Sequence, residues 1–123
     1  MSDLQARFAE LTERLEPHAE AVDFKAGQMM VEIGSHPPGI QLLVSGLATA
    51  HHGLDHHRLR EYGPGSVLTV PAAFGDYASK EEIQAEEGCR VLVLTREVRQ
   101  SLESEDPDLA MRLYSYLLSQ GGD

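Results

Sequence analysis

The apolar positions of this chain recur with two different periods, and the change of period divides it. Leu4, Phe8, Leu11 and Leu15 repeat at helical spacing as far as Pro17. That spacing predicts an amphipathic helix, with Ser2 as its N-cap and Gln5 three residues on. From Val22 the pattern breaks into short runs separated by glycine and proline. Val22 and Phe24 precede a turn at Lys25-Ala26-Gly27-Gln28, and Met29 to Ile33 leads to Gly34. His36-Pro37-Pro38-Gly39 must be a loop, because proline has no amide donor for a helix or a central strand. Ile40, Leu42 and Val44 alternate with Gln41, Leu43 and Ser45, and Leu47 to His52 continues as a second strand towards a hairpin tip.

Beyond Arg58 to Tyr62, the turn Gly63-Pro64-Gly65 opens a strand, then a compact insert that ends near Lys80, then a strand pair from Ile83 to Leu94. Cys89, Val91 and Val93 share one face of the last strand and Leu92 and Leu94 the other, so both of its faces are expected to be covered. Helical spacing then returns. Thr95 can cap a helix carrying Val98 and Leu102, and Asp106-Pro107 places a cap before a proline at the first position of a final helix. Leu109, Leu113, Tyr116 and Leu117 form the stripe of that helix, with Tyr114 and Leu118 beside it. The stripe serves either a modest homodimer or a fold back onto Leu4, Phe8 and Leu11. One domain is expected, with a helix over 3–16, an all-β core over 22–95 arranged as an antiparallel barrel or sandwich, and helices over 96–120.

Charge narrows the partners. The 123 residues hold 10 Lys and Arg against 20 Asp and Glu, and the net charge of -10 repels a phosphate backbone, so nucleic acid is not expected. No apolar run approaches the roughly 20 residues that span a bilayer, and no basic-then-apolar leader opens the chain. A cytoplasmic protein without direct membrane insertion is expected. The single cysteine, Cys89, cannot form an intramolecular disulfide and reads as a small buried apolar residue.

His51, His52, His56 and His57 flank Gly53-Leu54-Asp55. A three-residue loop would set His52 against His56 and His51 against His57, whereas a two-residue loop would pair His52 with His57. Each face then offers two imidazoles where structural zinc takes four ligands, so a solvated hairpin is expected, with no metal and no cofactor. No Ser/His/Asp or phosphate-loop pattern is present, and no enzyme activity is expected.

Five short motifs occur in an order that resembles the cyclic-nucleotide-binding domain family, the β-roll of catabolite activator protein, protein kinase A regulatory subunits and gated channels. They are Phe24-Lys25-Ala26-Gly27-Gln28, Glu32-Ile33-Gly34, Leu43-Val44-Ser45-Gly46, Tyr62-Gly63-Pro64-Gly65 and Val91 to Glu97. The segment from Glu103 to Ala110 is also similar to the version of this domain appended to bacterial sulfate-permease-type transporters. The resemblance implies a mainly β fold, an antiparallel double-stranded β-helix or jelly-roll-like β-roll, with an N-terminal helix and two C-terminal helices. It also implies a regulatory role, a cyclic nucleotide or other small anionic ligand, a dimer-forming last helix, and a membrane transporter or other effector as partner.

The family's ligand chemistry lies in the insert, where a glutamate holds the ribose hydroxyl and an arginine and backbone amides hold the cyclic phosphate. The resemblance places that insert on Leu68, Thr69, Val70, Pro71, Tyr77, Ala78, Ser79 and Lys80. The glutamate position falls on Thr69-Val70 and the arginine position on or beside Ser79-Lys80, so both signature side chains are absent. Weak binding of cyclic AMP and cyclic GMP is the expectation. The alternative is an anionic ligand held by Lys80 and the insert's amides. The family's activators continue into a helix-turn-helix. Taking Asp123 as the end, output is expected through self-association or another protein.

Overall fold

The computed structural model describes residues 3–52, 58–68, 78–79 and 81–121. The Ser2 cap, the hairpin tip from Gly53 to His57, the insert from Thr69 to Tyr77, Lys80 and the helix stop at Gly122 lie outside the described residues. The elements run in order α1 (Asp3–Leu15), β1 (Glu20–Phe24), β2 (Met29–Val31), β3 (Gly39–Ser45), β4 (Ala48–His52) and β5 (Arg58–Tyr62). They continue as β6 (Val67–Leu68), β7 (Glu81–Ala85), β8 (Cys89–Thr95), α2 (Arg96–Glu105) and α3 (Pro107–Gly121). The strands form two antiparallel sheets, β1-β8-β3-β6 and β2-β7-β4-β5. This is the β-roll with one leading and two trailing helices that the sequence implied.

The first sheet is apolar on both faces. Cys89, Val91 and Val93 of β8 point into the roll with Leu43 and Leu68, where Ala48, Ala50, Ile83 and Ala85 of the second sheet meet them. Leu92 and Leu94 point outward with Ile40 and Leu42, under all three helices. β8 thus behaves as its pattern predicts. In β3, Gly39 to Leu43 are buried throughout, Gln41 included, because β3 lies between β8 and β6 with the helices above it. β2 is also shorter than expected. It ends at Val31, since the Gly34 amide donates to the Ser79 carbonyl and the chain turns there, leaving Ile33 exposed.

The stripe on α3 is consumed within the fold. Leu109, Leu113, Tyr116 and Leu117 are buried with Phe8, Leu11 and Leu15 of α1, and the Phe8 and Tyr116 rings lie 5.4 Å apart. Folding back on α1 therefore accounts for the stripe. Both trailing helices carry the expected caps. Thr95 Oγ1 accepts from the Val98 amide, and Asp106 Oδ1 accepts from the Leu109 amide ahead of Pro107. Arg14 ties α1 to the α2–α3 junction by ion pairs of 3.3 Å to Asp106 and 3.3 Å to Asp108. Arg14 and Arg112 together hold the Asp108 carboxyl below its ordinary range.

Candidate functional site

Four glycines of the motifs that suggested the fold, Gly27, Gly34, Gly46 and Gly65, take positive φ. The left-handed backbone explains why that pattern of glycines marks this roll. Two of these turns frame the insert. The Gly65 amide donates to the Leu43 carbonyl, and β6 then carries the chain to Leu68, whose side chain is fully buried between the sheets. At the other end, the Ser79 amide donates to the Ser35 carbonyl at 2.8 Å and the Ser79 carbonyl accepts from Gly34 at 2.7 Å. The Ser79 hydroxyl donates to the Glu81 carbonyl at 2.8 Å.

Leu68 is therefore part of the core, Ala78 is exposed, and Ser79 is engaged in its own turn. Thr69, Val70, Pro71, Tyr77 and Lys80 lie outside the described residues. Tyr116 of α3 donates its hydroxyl to the Gly65 carbonyl, joining the last helix to the turn that leads into the insert.

Next to the exit of the insert, the inner face of the second sheet changes from apolar to polar. Glu81 lies two residues before the buried Ile83, and Arg60 lies two residues before Tyr62, whose ring packs on the core. Strand alternation thus turns the three towards one another. Tyr62 donates to Glu81 Oε1 at 3.4 Å, and the Arg60 guanidinium lies 5.5 Å from the centre of the Tyr62 ring. Arg60 Nε is 3.7 Å from Glu81 Oε2, an ion pair too long to be a hydrogen bond. Oε2 is buried and accepts no hydrogen bond among the described residues.

Sequence reasoning treated Arg58 to Tyr62 as an ordinary strand and missed this cluster. The available signal was the period of two, which sets Arg60 and Tyr62 on one face; their approach to Glu81 depends on β5 and β7 both flanking β4.

Burial pushes the Tyr62 phenol from 10.0 up to about 12, with the Glu81 charge adding to the rise and Arg60 opposing it. A tyrosine whose folded value is raised stabilises the fold fully below its unfolded value and loses that contribution as pH climbs. Stability is expected to fall from about pH 10 towards pH 12 through this group. Alkaline absorbance titration checks it: Tyr62→Phe should remove the highest tyrosinate step and flatten the decline in that window.

The histidine hairpin departs from one of its two sequence-based pairings. His51 stands opposite Arg58 on one side and Glu82 on the other, not opposite His57 as a three-residue loop required, because β4 and β5 pair Ala50 with Arg60 and the shift after Ala50 moves the register by one residue; the alternative partner of His52, His57, lies outside the described residues. His52 and His56 are four apart, a spacing that gathers ligands on a helix, but His52 belongs to a strand. No three His, Cys, Asp or Glu residues among those described could together hold a metal ion. Cys89 is buried, its thiol 3.2 Å from the Leu47 carbonyl, and burial raises its pKa, with the Glu87 charge adding to the rise. Such a thiol is inert. No helix among the described residues is long and apolar enough to cross a membrane.

No protein-family model and no curated protein matches the sequence. Solved structures match its fold. A cyclic nucleotide-binding domain from Methylobacillus flagellatus KT superposes with a TM-score of 0.76 at 14% identity, covering 90% of this chain and 64% of that one. Catabolite activator protein from Thermus thermophilus gives 0.72 at 19% identity, over 90% of this chain and 54% of that one. The N-terminal domain of a transcriptional regulator from Streptomyces coelicolor A3(2) gives 0.75 at 18%, over 98% and 90%. The chain thus has the fold of the cyclic-nucleotide-binding domains. It spans about half the length of the Thermus activator and 64% of the Methylobacillus chain.

Proposed function

We propose that this chain is a regulatory, ligand-sensing module with a cyclic-nucleotide-binding-like fold that does not hold cyclic AMP or cyclic GMP tightly. The observation that carries the reading is Glu81. The resemblance sets the phosphate-binding arginine on or beside Ser79-Lys80, and the residue that follows, Glu81, carries a carboxylate with one buried oxygen unbonded among the described residues. A cyclic phosphate at that place would meet a negative charge in a poorly solvated setting, where like charges repel most strongly. Ser79, already bonded within its turn, offers no guanidinium to offset it. A ligand with a hydrogen-bond donor or positive charge facing Glu81 fits the described wall better. The solved structures of similar fold include regulators, and one, CprK, is described in complex with o-chlorophenolacetic acid; the fold itself accepts varied ligands.

A second reading keeps an anionic ligand. Arg60 favours it, since its side chain is 61% exposed and its pairing with Glu81 is loose, so an anion could recruit it alongside Lys80 and the insert's amides. Calorimetric titration with cyclic mononucleotides, cyclic dinucleotides and common anions separates the two. Cyclic AMP and cyclic GMP are expected to show no binding in the low micromolar range, and a tight isotherm for either would sink the first reading. Glu81→Gln should then raise affinity for these anions by about tenfold, the worth of one unfavourable charge contact. Val70→Glu with Ser79→Arg should raise it further by restoring the family's pair. The output route, a weak homodimer through α3 or an effector such as a membrane transporter, is proposed from the sequence resemblance; with the stripe packed on α1, the exposed Leu118 marks the side of α3 left for the dimer.

A further inference from the structure

The seam between α1 and α3 is laid out as rungs. Arg14 pairs with Asp108 at 3.3 Å, and one turn along each antiparallel helix Glu10 pairs with Arg112 at 3.4 Å. The next turn of the same progression brings Arg7 level with Ser115, with Ser119 one turn beyond. There α3 supplies hydroxyls where the other rungs have a carboxylate facing an arginine. Arg7 has no ion-pair or hydrogen-bond partner among the described residues.

A groove of about 340 Å³ runs along these rungs, lined by Arg7, Ser115 and Ser119 and by Leu11, Met111 and Tyr116. Met111 is 66% exposed. The volume lies at the lower end of small-molecule sites, whose walls are typically apolar with a few placed polar groups. Three of the ten cations in a chain of charge -10 line this one groove, counting Arg14 and Arg112. Glu10 and Asp108 line it too and, with Asp106, pair with Arg14 and Arg112, so Arg7 is the cation that the groove leaves for an incoming anion.

We propose that this groove binds a compact organic anion, a carboxylate on a short apolar body, whose carboxylate takes the open place opposite Arg7. The guanidinium fork supplies two parallel donors and Ser115 supplies a hydroxyl, the Ser119 hydroxyl being already donated to the Tyr116 carbonyl, while the body lies on Met111, Leu11 and the Tyr116 ring. Because Tyr116 also bonds the Gly65 carbonyl, an occupant here touches the helix that is tied to the insert. The site is separate from the roll interior and does not depend on the reading of Glu81.

Titration of the full chain with hydrocinnamate, followed through backbone amide resonances, tests it. Saturable shifts are expected at Met111, Ser115 and Ser119, at millimolar concentrations or below. Arg7→Gln should weaken binding about tenfold, as loss of one exposed charge-assisted contact would, and the neutral amide of the same acid should not bind. Ser115→Glu supplies the missing carboxylate from within and should abolish binding while leaving the helices folded. Absence of saturable shifts in the groove, shifts confined to Tyr62, Ser79 and Glu81, or undiminished binding to Arg7→Gln would each overturn the proposal.

Discussion

Gly46→Ala is expected to destabilise the protein by about 2–5 kcal/mol, a large share of what a domain of this size has to lose. Two costs combine. Gly46 has φ +97, a conformation that a Cβ penalises, and a Cβ built there would lie 2.3 Å from the Gly88 carbonyl oxygen and 2.8 Å from the Cys89 Cα. Neither contact is with a flexible side-chain tip, so the β3–β4 turn and the start of β8 would have to separate. Gly27→Ala is the control: its φ is +86 but nothing lies within 4 Å, so only the backbone term applies, about 1 kcal/mol. Denaturant melts of the two variants should differ clearly; equal losses would mean that the close approach at Gly46 costs nothing.

Leu117→Asp is expected to cost at least about 4 kcal/mol, because it removes a buried apolar side chain and leaves a carboxylate with no partner in its place. Leu117 is 6% exposed within the helical layer over the first sheet. One position along α3, Leu118 is 79% exposed, and Leu118→Asp should alter stability by no more than about 0.5 kcal/mol. The pair also tests self-association. If a dimer forms through the outer side of α3, Leu118→Asp weakens it in sedimentation over a wide concentration range while the melting temperature stays unchanged. A Leu117→Asp chain that folds normally would refute the packing of α3 on α1 described above.

The roll was legible from local rules. Glycines at positions 27, 34, 46 and 65 announced turns because only a residue without Cβ sits easily at positive φ, and each of the four does so. Thr95 and the Asp106-Pro107 pair marked helix starts through the same chemistry seen in their caps. β8 declared itself by being apolar on both faces, a property set by its own residues.

Tertiary structure decided whatever depended on which strands and helices became neighbours. The alternation of β3 left the depth of its Gln41 face open; its position beside β8 and under the helices buried both faces. The stripe on α3 had two possible partners, a second copy or α1, and periodicity is the same for either; only packing placed Phe8 against Tyr116. His51 faces Arg58 rather than His57 because the register of β4 on β5 is set by the pairs from Ala48–Tyr62 to Ala50–Arg60, which a pattern of period two cannot foresee. Arg60, Tyr62 and Glu81 lie on strands that never pair with each other and meet only because β4 runs between them. A sequence determines which faces are apolar and where the backbone must turn, because those are properties of single residues and near neighbours; contacts between distant segments are settled by the closure of the whole roll.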